Sequence, residues 1–307
     1  MVAYIASLAV FAGIYALLSL GLNLMWGLGG MVNLGLSGLF AIGAYASALA
    51  ALHVHLALPE AALFALLLAA AAGALLAVIT ARLKGDYLAI VTLGFAEVIQ
   101  LLAANEIWLT NGTDGLSAIP APGRGSASPL AFDLGSAAAV WIVVGITAVL
   151  LGRLSAAPYG RVLRAIREDE TVARVAGKRV FAFKIGAFAA GSAVMGLAGS
   201  LYAAYVGYVA PDTFDLLLTL LVVLALVAGG LGRMRGAVLG AVIVVALTSG
   251  TRFLGGVLPG LSALQVACLR QGAIGFFLLL LLRFRPEGVL PERMRIHTVR
   301  IKDGARM

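Results

Sequence analysis

One carboxylate of this sequence stands inside an apolar stretch that is long enough to cross a membrane. Glu97 lies near the middle of residues 87–108, and Gly94, Gln100 and Ala104 share its face at helical spacing. A charge at the centre of such a helix costs roughly 2.5–3.5 kcal/mol on insertion, so this stripe must face protein or water. Two interpretations stay open: the stripe lines or gates a path for a solute, or Glu97 makes an interhelical hydrogen bond.

Three further polar residues, Asn23, Asn33 and Ser37, flank or lie within a glycine-rich run over residues 27–43 and are also candidates for the path. A second glycine-rich run covers residues 229–240. In transporters, interrupted segments in corresponding halves mark broken helices beside the path. Small residues also allow close helix packing, so both interpretations of the two runs remain open.

Motifs for enzymatic chemistry are absent from the sequence. It contains no phosphate-binding loop of the form GxxxxGK[ST], no GxSxG and no HExxH. His53 and His55 have no further Cys or His nearby to complete a metal site, and the single cysteine, Cys268, excludes an intrachain disulfide. We therefore expect no enzyme, no metal and no cofactor in this chain.

The elements that position these residues are predicted to be membrane-spanning helices. Hydrophobic residues make up 62% of the 307 residues and charged residues 12%, whereas a soluble domain carries roughly 25% charged residues. Several apolar segments reach the ~20 residues needed to span a bilayer. The sequence predicts an all-α, polytopic bundle forming one domain over residues 1–307, with about nine spans near residues 3–24, 31–52, 57–79, 87–108, 137–152, 182–209, 214–231, 236–250 and 264–282.

The positive charges give this bundle an orientation. With the amino terminus outside, nineteen of the 22 Lys and Arg residues fall in inner loops or in the carboxyl-terminal tail. Arg124 and Arg252 fall outside, and Arg270 falls within a span. Cytoplasmic loops carry such an excess of basic residues, so we expect a cytoplasmic carboxyl terminus. The net charge of +8 then reflects topology and anionic membrane lipid, without any nucleic acid.

Two segments outside the spans differ in character. The outer loop of residues 109–136 is rich in Gly, Pro and Ser, which predicts a structured turn region or a lid; its candidate residues are Thr113, Asp114 and Gly115. The inner segment of residues 154–181 alternates apolar and charged residues after Pro158. It predicts a short amphipathic cytoplasmic helix that ends at Gly177.

The sequence resembles a known family, the permeases of branched-chain amino acid ABC importers, of the LivM type. The specific parts are RLKGDYLAIVTLGFAEVIQLLAANEIWLTNGTDGLSAIP at residues 82–120 and the run APYGRVLRAIREDETVARVAGKRVF that begins at residue 157. Three shorter segments also match the family, in the same order along the chain: GLNLMWGLGG at residues 21–30, GGLGRMRGAVLGA at residues 229–241 and RFRPEGVL at residues 283–290. The resemblance covers nearly the whole chain.

The resemblance implies a subunit of a heteromeric importer in the cytoplasmic (inner) membrane. Its partners would be a second, related permease, two cytoplasmic ATPase subunits that bind the ATP, and an extracytoplasmic solute-binding protein. The family's coupling helix, which docks on the ATPase, maps to about residues 160–177. Its candidate residues here are Gly160, Arg161, Arg164, Arg167, Glu168, Asp169, Glu170 and Gly177.

The resemblance leaves the solute open. Leu36 stands where the family usually has a His, and the span around Leu221 lacks the family's usual Glu. Branched-chain amino acids are the first expectation, and urea, short amides or another small solute are the alternative. An ion-driven secondary transporter and a lipid-modifying membrane enzyme are rival classes, and the sequence shows no cluster of catalytic groups for the latter.

Overall fold

The structure is a computed structural model. Eleven α-helices make up most of the residues that it describes. It describes residues 2–80, 82–83, 85–125 and 128–250, with a few further residues between 265 and 290. The helices are α1 (Val2–Leu22), α2 (Leu36–His53), α3 (Leu58–Ile79), α4 (Asp86–Asn105), α5 (Ile107–Thr110), α6 (Pro129–Ala156), α7 (Pro158–Glu168), α8 (Glu170–Val175), α9 (Val180–Val206), α10 (Leu216–Gly229) and α11 (Met234–Gly250).

The all-helical prediction is confirmed, but the count of nine spans is not. Six helices of the described part are long and apolar enough to cross a membrane: α1, α2, α3, α4, α6 and α9. The predicted spans at residues 214–231 and 236–250 are α10 and α11, which are apolar but have only 14 and 17 residues. Most of the predicted span at 264–282 lies outside the described residues, as do Arg252, Cys268 and Arg270.

Helix α9 forms the centre of the bundle, where it packs against α1, α2 and α3. Glycines bring these backbones close together. A Cβ atom on Gly199 would lie 2.6 Å from the Ala44 nitrogen of α2, and one on Gly196 would lie 2.8 Å from the Ala65 carbonyl oxygen of α3. Lipid gives no hydrophobic drive for helices to associate, so close backbone packing of this kind holds membrane bundles together.

Helices α10 and α11 form an antiparallel hairpin that packs along α1. Gly229 lies opposite Gly236, and Ala225 lies opposite Gly240. At one end of α1 the Tyr4 hydroxyl donates to the Ser249 carbonyl oxygen at 3.3 Å, and at the other end Asn23 contacts the turn between α10 and α11. The two glycine-rich runs of the sequence therefore meet at the same end of the bundle.

We expect Gly196→Ala to lower the thermal midpoint of the purified protein, because the added methyl group would press on the backbone of α3. Overpacking of this kind typically costs about 1–3 kcal/mol. Gly152→Ala on α6 is the matched control, since a Cβ atom there meets nothing within 4 Å. The measurement is intrinsic fluorescence during heating in detergent, and equal midpoints for the two variants would contradict the packing described here.

Candidate translocation and coupling sites

The first glycine-rich run contains a break between two helices. Helix α1 continues beyond Leu22 as a π-helical turn over Asn23–Leu28, and the chain is then non-helical until α2 begins at Leu36. Gly30 has a φ of +69°, in the left-handed region that glycine adopts at little cost. Gly43, by contrast, lies inside α2 and packs on Gly196 of α9. One half of the run thus forms a broken helix, and the other half serves close packing.

Asn23, at the start of the π-helical turn, joins the two glycine-rich runs. It is fully buried. Its Oδ1 accepts a hydrogen bond from the Gly232 N–H at 2.9 Å, and its Nδ2 donates to the Met234 sulfur at 3.5 Å. Its amide therefore satisfies a backbone donor that the turn between α10 and α11 leaves without a helical partner.

Asn33 holds the other end of the break. Its Oδ1 accepts from the Gly35 N–H at 2.8 Å, directly before α2, and its Nδ2 donates to the Met25 sulfur at 3.1 Å. The neighbouring Leu34 N–H donates to the Thr92 hydroxyl of α4 at 3.0 Å. Ser37 is buried in the first turn of α2. These polar side chains hold the break in place, and a direct role for them in lining the path stays a prediction.

The predicted polar stripe of α4 divides between two faces of the helix. Gly94 and Glu97 are exposed on the surface of this chain, and a Cβ atom on Gly94 would meet nothing within 4 Å. Gln100 is half-buried, and its Nε2 donates to the Pro211 carbonyl oxygen at 3.1 Å. Gly94 and Glu97 share their outward face with Ile90 and Leu101. A carboxylate thus stands on an otherwise apolar, uncovered face of a spanning helix.

The cytoplasmic helix predicted over residues 160–177 is two helices in the structure, which corrects the single-helix expectation. Helix α7 begins earlier, with Pro158 in its first turn, and ends at Glu168. Asp169 is extended, and its carboxylate accepts from the Thr171 and Val172 N–H groups at 2.7 and 3.1 Å. This is the N-cap arrangement that starts a new helix. Gly177, with a φ of +74°, follows α8 as predicted.

Two of the predicted coupling arginines point into the protein. Arg164 donates to the Ser155 and Gly160 carbonyl oxygens. Arg167 donates to the Gly27 carbonyl oxygen of the π-helical turn. A Cβ atom on Gly30 would lie 2.7 Å from the Arg167 Cγ, so the broken segment rests directly on α7. Helix α7 is therefore attached to the first glycine-rich break.

The outward surface of α7 and α8 forms a groove. Arg161, Glu168 and Asp169 are exposed, while Val172 and Val175 are apolar and 64% and 85% exposed. A cavity of about 490 Å³ lies between the two helices, lined by these charged residues together with Val172, Ala173 and Lys178. Exposed apolar side chains with a charged rim are typical of a protein interface.

Further contacts fix α7 and α8 to the membrane helices. Tyr159 of α7 stacks on Phe183 of α9 at 5.2 Å, and its hydroxyl donates to the Phe183 carbonyl oxygen at 3.1 Å. Burial raises the pKa of Tyr159 to about 12, so it stays a donor at physiological pH. Glu170 of α8 pairs with the buried Lys184 of α9 at 2.9 Å and with Arg174 at 2.8 Å.

The outer loop is folded against the far end of α9. Leu116 forms a two-way backbone bridge with Val209, and the Tyr208 hydroxyl donates to the Asp114 carbonyl oxygen at 3.0 Å. Gly115, with a φ of +68°, lies against Val209 and Ala210. Thr113 and Asp114 are exposed at the surface. The prediction of a structured turn region therefore holds for the described residues of this loop.

Three residues make structural contacts that the sequence patterns did not predict: Thr92, Lys184 and Arg124. Arg124 donates to three carbonyl oxygens at the end of α9: Ala204 at 2.9 Å, Tyr205 at 2.6 Å and Val206 at 3.4 Å. A cation at a helix carboxyl terminus is favourable. Lys184, a basic residue inside an apolar segment, carried a usable signal, because such a group needs a partner. Thr92 carried none, since a threonine in a spanning helix often bonds only its own backbone.

The sequence matches a known family over most of its length. The family described as the permease component of branched-chain amino acid transport systems matches residues 4–282. The high-affinity branched-chain amino acid permease protein LivM of Escherichia coli is 33% identical over 97% of this chain and 72% of its own length. The protein of the same description from Salmonella typhimurium is 33% identical over 92% of this chain and 69% of its own length.

More distant relatives match about half of the chain. The autoinducer 2 import permease LsrC of Photorhabdus laumondii is 27% identical over 52% of this chain and 46% of its own length. No solved structure matches the chain. The family match covers most of the sequence, including the described helices, the two glycine-rich runs and the pair α7 and α8. The chain belongs to the family of permease components of branched-chain amino acid transport systems.

Proposed function

We propose that this chain is the membrane-spanning permease subunit of an ABC importer that moves branched-chain amino acids into the cell with energy from ATP hydrolysed by partner subunits. The observation that carries the proposal is the attachment of the cytoplasmic helix α7 to the first glycine-rich break through Arg167 and Gly30. The names of the LivM relatives support the choice of solute.

In this proposal the exposed groove of α7 and α8 docks on a cytoplasmic ATPase. Arg161, Glu168 and the exposed valines form the contact surface. Arg167 and the Glu170–Lys184 ion pair then act on the membrane helices, because each joins the cytoplasmic pair to α1 or to α9. When the ATPase moves, α7 and the first glycine-rich break move together, because they are packed against each other. Displacements of packed elements of this kind switch proteins between two states.

The exposed face of α4 is proposed to line the path. A carboxylate facing lipid at this depth costs roughly 2.5–3.5 kcal/mol, so water or a second protein must cover Glu97 in the membrane. A second, related permease that covers this face would enclose Gly94 and Glu97 between the two subunits. Glu97 repels the carboxylate of an amino acid and attracts its ammonium group, so the residue fits a contact to the latter.

The complete importer is proposed to contain two ATPases, a second permease and an extracytoplasmic binding protein. The proposed orientation places the amino terminus outside. The end of α1, the turn between α10 and α11, and α7 lie together at one end of the bundle. That end carries Arg161, Arg233 and Arg235, whereas Arg124 lies at the opposite end beside the last residues of α9. The excess of basic residues marks the cytoplasmic side.

The orientation predicts how single cysteines react in a Cys268→Ala background. Asp114→Cys should react with a membrane-impermeant thiol reagent added to intact cells, because Asp114 is exposed at the outer end. Glu168→Cys should react only after the membrane is opened. Both residues are exposed in the structure, so burial does not explain a difference. Equal labelling of both cysteines in intact cells would overturn the orientation.

The function predicts labelled leucine uptake by proteoliposomes that contain the complete importer, and this uptake should require both ATP and the binding protein. Glu97→Gln should lower uptake several-fold and Glu97→Leu should lower it further, because each removes the charge and the second also removes the hydrogen-bonding group. A loss of about tenfold in the uptake rate corresponds to an activation free energy that is higher by about 1.4 kcal/mol.

Glu60→Gln is the matched control, since Glu60 is an exposed carboxylate in the first turn of α3. Uptake by this variant should equal that of the wild type at matched protein amount. Uptake at the wild-type rate in Glu97→Leu would remove Glu97 from the path. Uptake by this chain alone, without ATPases, would instead favour an ion-driven transporter.

A further inference from the structure

An apolar cleft lies beside the first turn of α3 on the outside of the bundle. It consists of two adjacent cavities of about 300 Å³ each, one between α2, α3 and the outer loop and one between α6, α9 and the start of α3. The two cavities share four lining residues: Leu58, Ala121, Pro122 and Ala204. The floor of the cleft is α9, with Leu201 and Ala204, and the cover is the outer-loop segment around Pro122.

The cleft opens where the chain faces the membrane. Only 28% of the best spanning window of α3 and 22% of that of α6 are buried in this chain. The lining residues of α6 run from Phe132 to Val140, which is about 12 Å of helix. That is somewhat less than half of a hydrocarbon core of ~30 Å. The cleft therefore fits within the depth of one leaflet.

The lining of the cleft fits a hydrocarbon chain. Its side chains are almost all apolar, and the polar exceptions are Ser47, Ser136 and the Tyr205 hydroxyl. A flexible acyl chain can lie along the two adjacent cavities.

A cation stands beside the mouth of the cleft. The Arg124 guanidinium lies 5.3 Å from the centre of the Phe132 ring, and Phe132 lines the cleft. Arg124 is exposed. Three of the donor groups of Arg124 bond carbonyl oxygens of α9, and a guanidinium has five N–H donors. The nearby Asp133 carboxylate accepts from the Tyr205 hydroxyl at 3.1 Å. An anionic phosphate and an ammonium group would both find a counter-charge here.

We propose that this cleft binds one glycerophospholipid of the leaflet on the Arg124 side, with an acyl chain along α6 beside the start of α3 and the phosphate at Arg124. The proposal does not rest on the solute or on ATP coupling. A bound chain would fill the cleft and support the outer loop that covers it.

The test uses the complete importer in a bilayer that contains phosphatidylethanolamine with a photoreactive diazirine in its acyl chain. Crosslinks should concentrate on residues 57–61, 119–122 and 132–140. Gly135→Leu should reduce them about tenfold, because the new side chain would occupy the cavity that Gly135 lines. Gly145→Leu is the matched control, since both glycines lie on α6, and a Cβ atom on either meets nothing within 4 Å.

A second pair of variants tests the headgroup. Arg124→Gln should weaken the same crosslinks and Arg124→Lys should restore them, because lysine keeps the charge that a phosphate needs. The thermal midpoint is measured in parallel, since Arg124 also caps α9. Equal crosslinking in Gly135→Leu and Gly145→Leu, or crosslinks spread evenly along α3 and α6, would overturn the proposal. Crosslinks seen in the isolated chain and lost in the complete importer would show that a protein partner covers the cleft.

Discussion

The fold depends on hydrogen-bond partners for the backbone N–H and C=O groups that interrupted helices leave unpaired inside a membrane protein. In lipid, an unpaired N–H or C=O group costs several kcal/mol, so a broken helix is tolerated only where other groups bond its backbone. Here Asn23, Asn33 and Thr92 bond the N–H groups of Gly232, Gly35 and Leu34. The carbonyl oxygens at the end of α10 accept from Val289 and Leu290, and Arg167 supplies a donor to Gly27.

This requirement links the membrane helices to the pair α7 and α8. Arg167 of α7 donates to the π-helical turn, so α7 lies directly against the break. The turn between α10 and α11 is bonded to Asn23 at the start of the same break. These hydrogen bonds therefore join α7 to the break and to that turn, and a displacement of α7 would change the environment of both. The ion pair between Glu170 and Lys184 adds a separate link to α9.

Sequence patterns predicted the helical class, the path of most helices and the amphipathic segment after Pro158, because apolar length and amphipathic spacing are local properties. They do not reveal tertiary contacts. Arg164 and Arg167 were expected at the ATPase contact, and in the structure both turn inward to backbone carbonyl oxygens that no local pattern reveals. Gln100 shares the helical spacing of Glu97, but its partner is Pro211, 111 residues away in the sequence. The break at Asp169 was visible in principle, since aspartate often caps a new helix.

The central claim is that Arg167 transmits the movement of the ATPase to the first glycine-rich break. The most direct measurement is labelled leucine uptake per ATP hydrolysed in the reconstituted importer. It compares Arg167→Gln with Arg167→Lys and with Arg153→Gln, since Arg153 is an exposed arginine in the last turn of α6. The account predicts that Arg167→Gln keeps ATP hydrolysis but lowers uptake per ATP several-fold, that Arg167→Lys restores part of it, and that Arg153→Gln matches the wild type. Unchanged uptake per ATP in an intact Arg167→Gln complex would contradict the account.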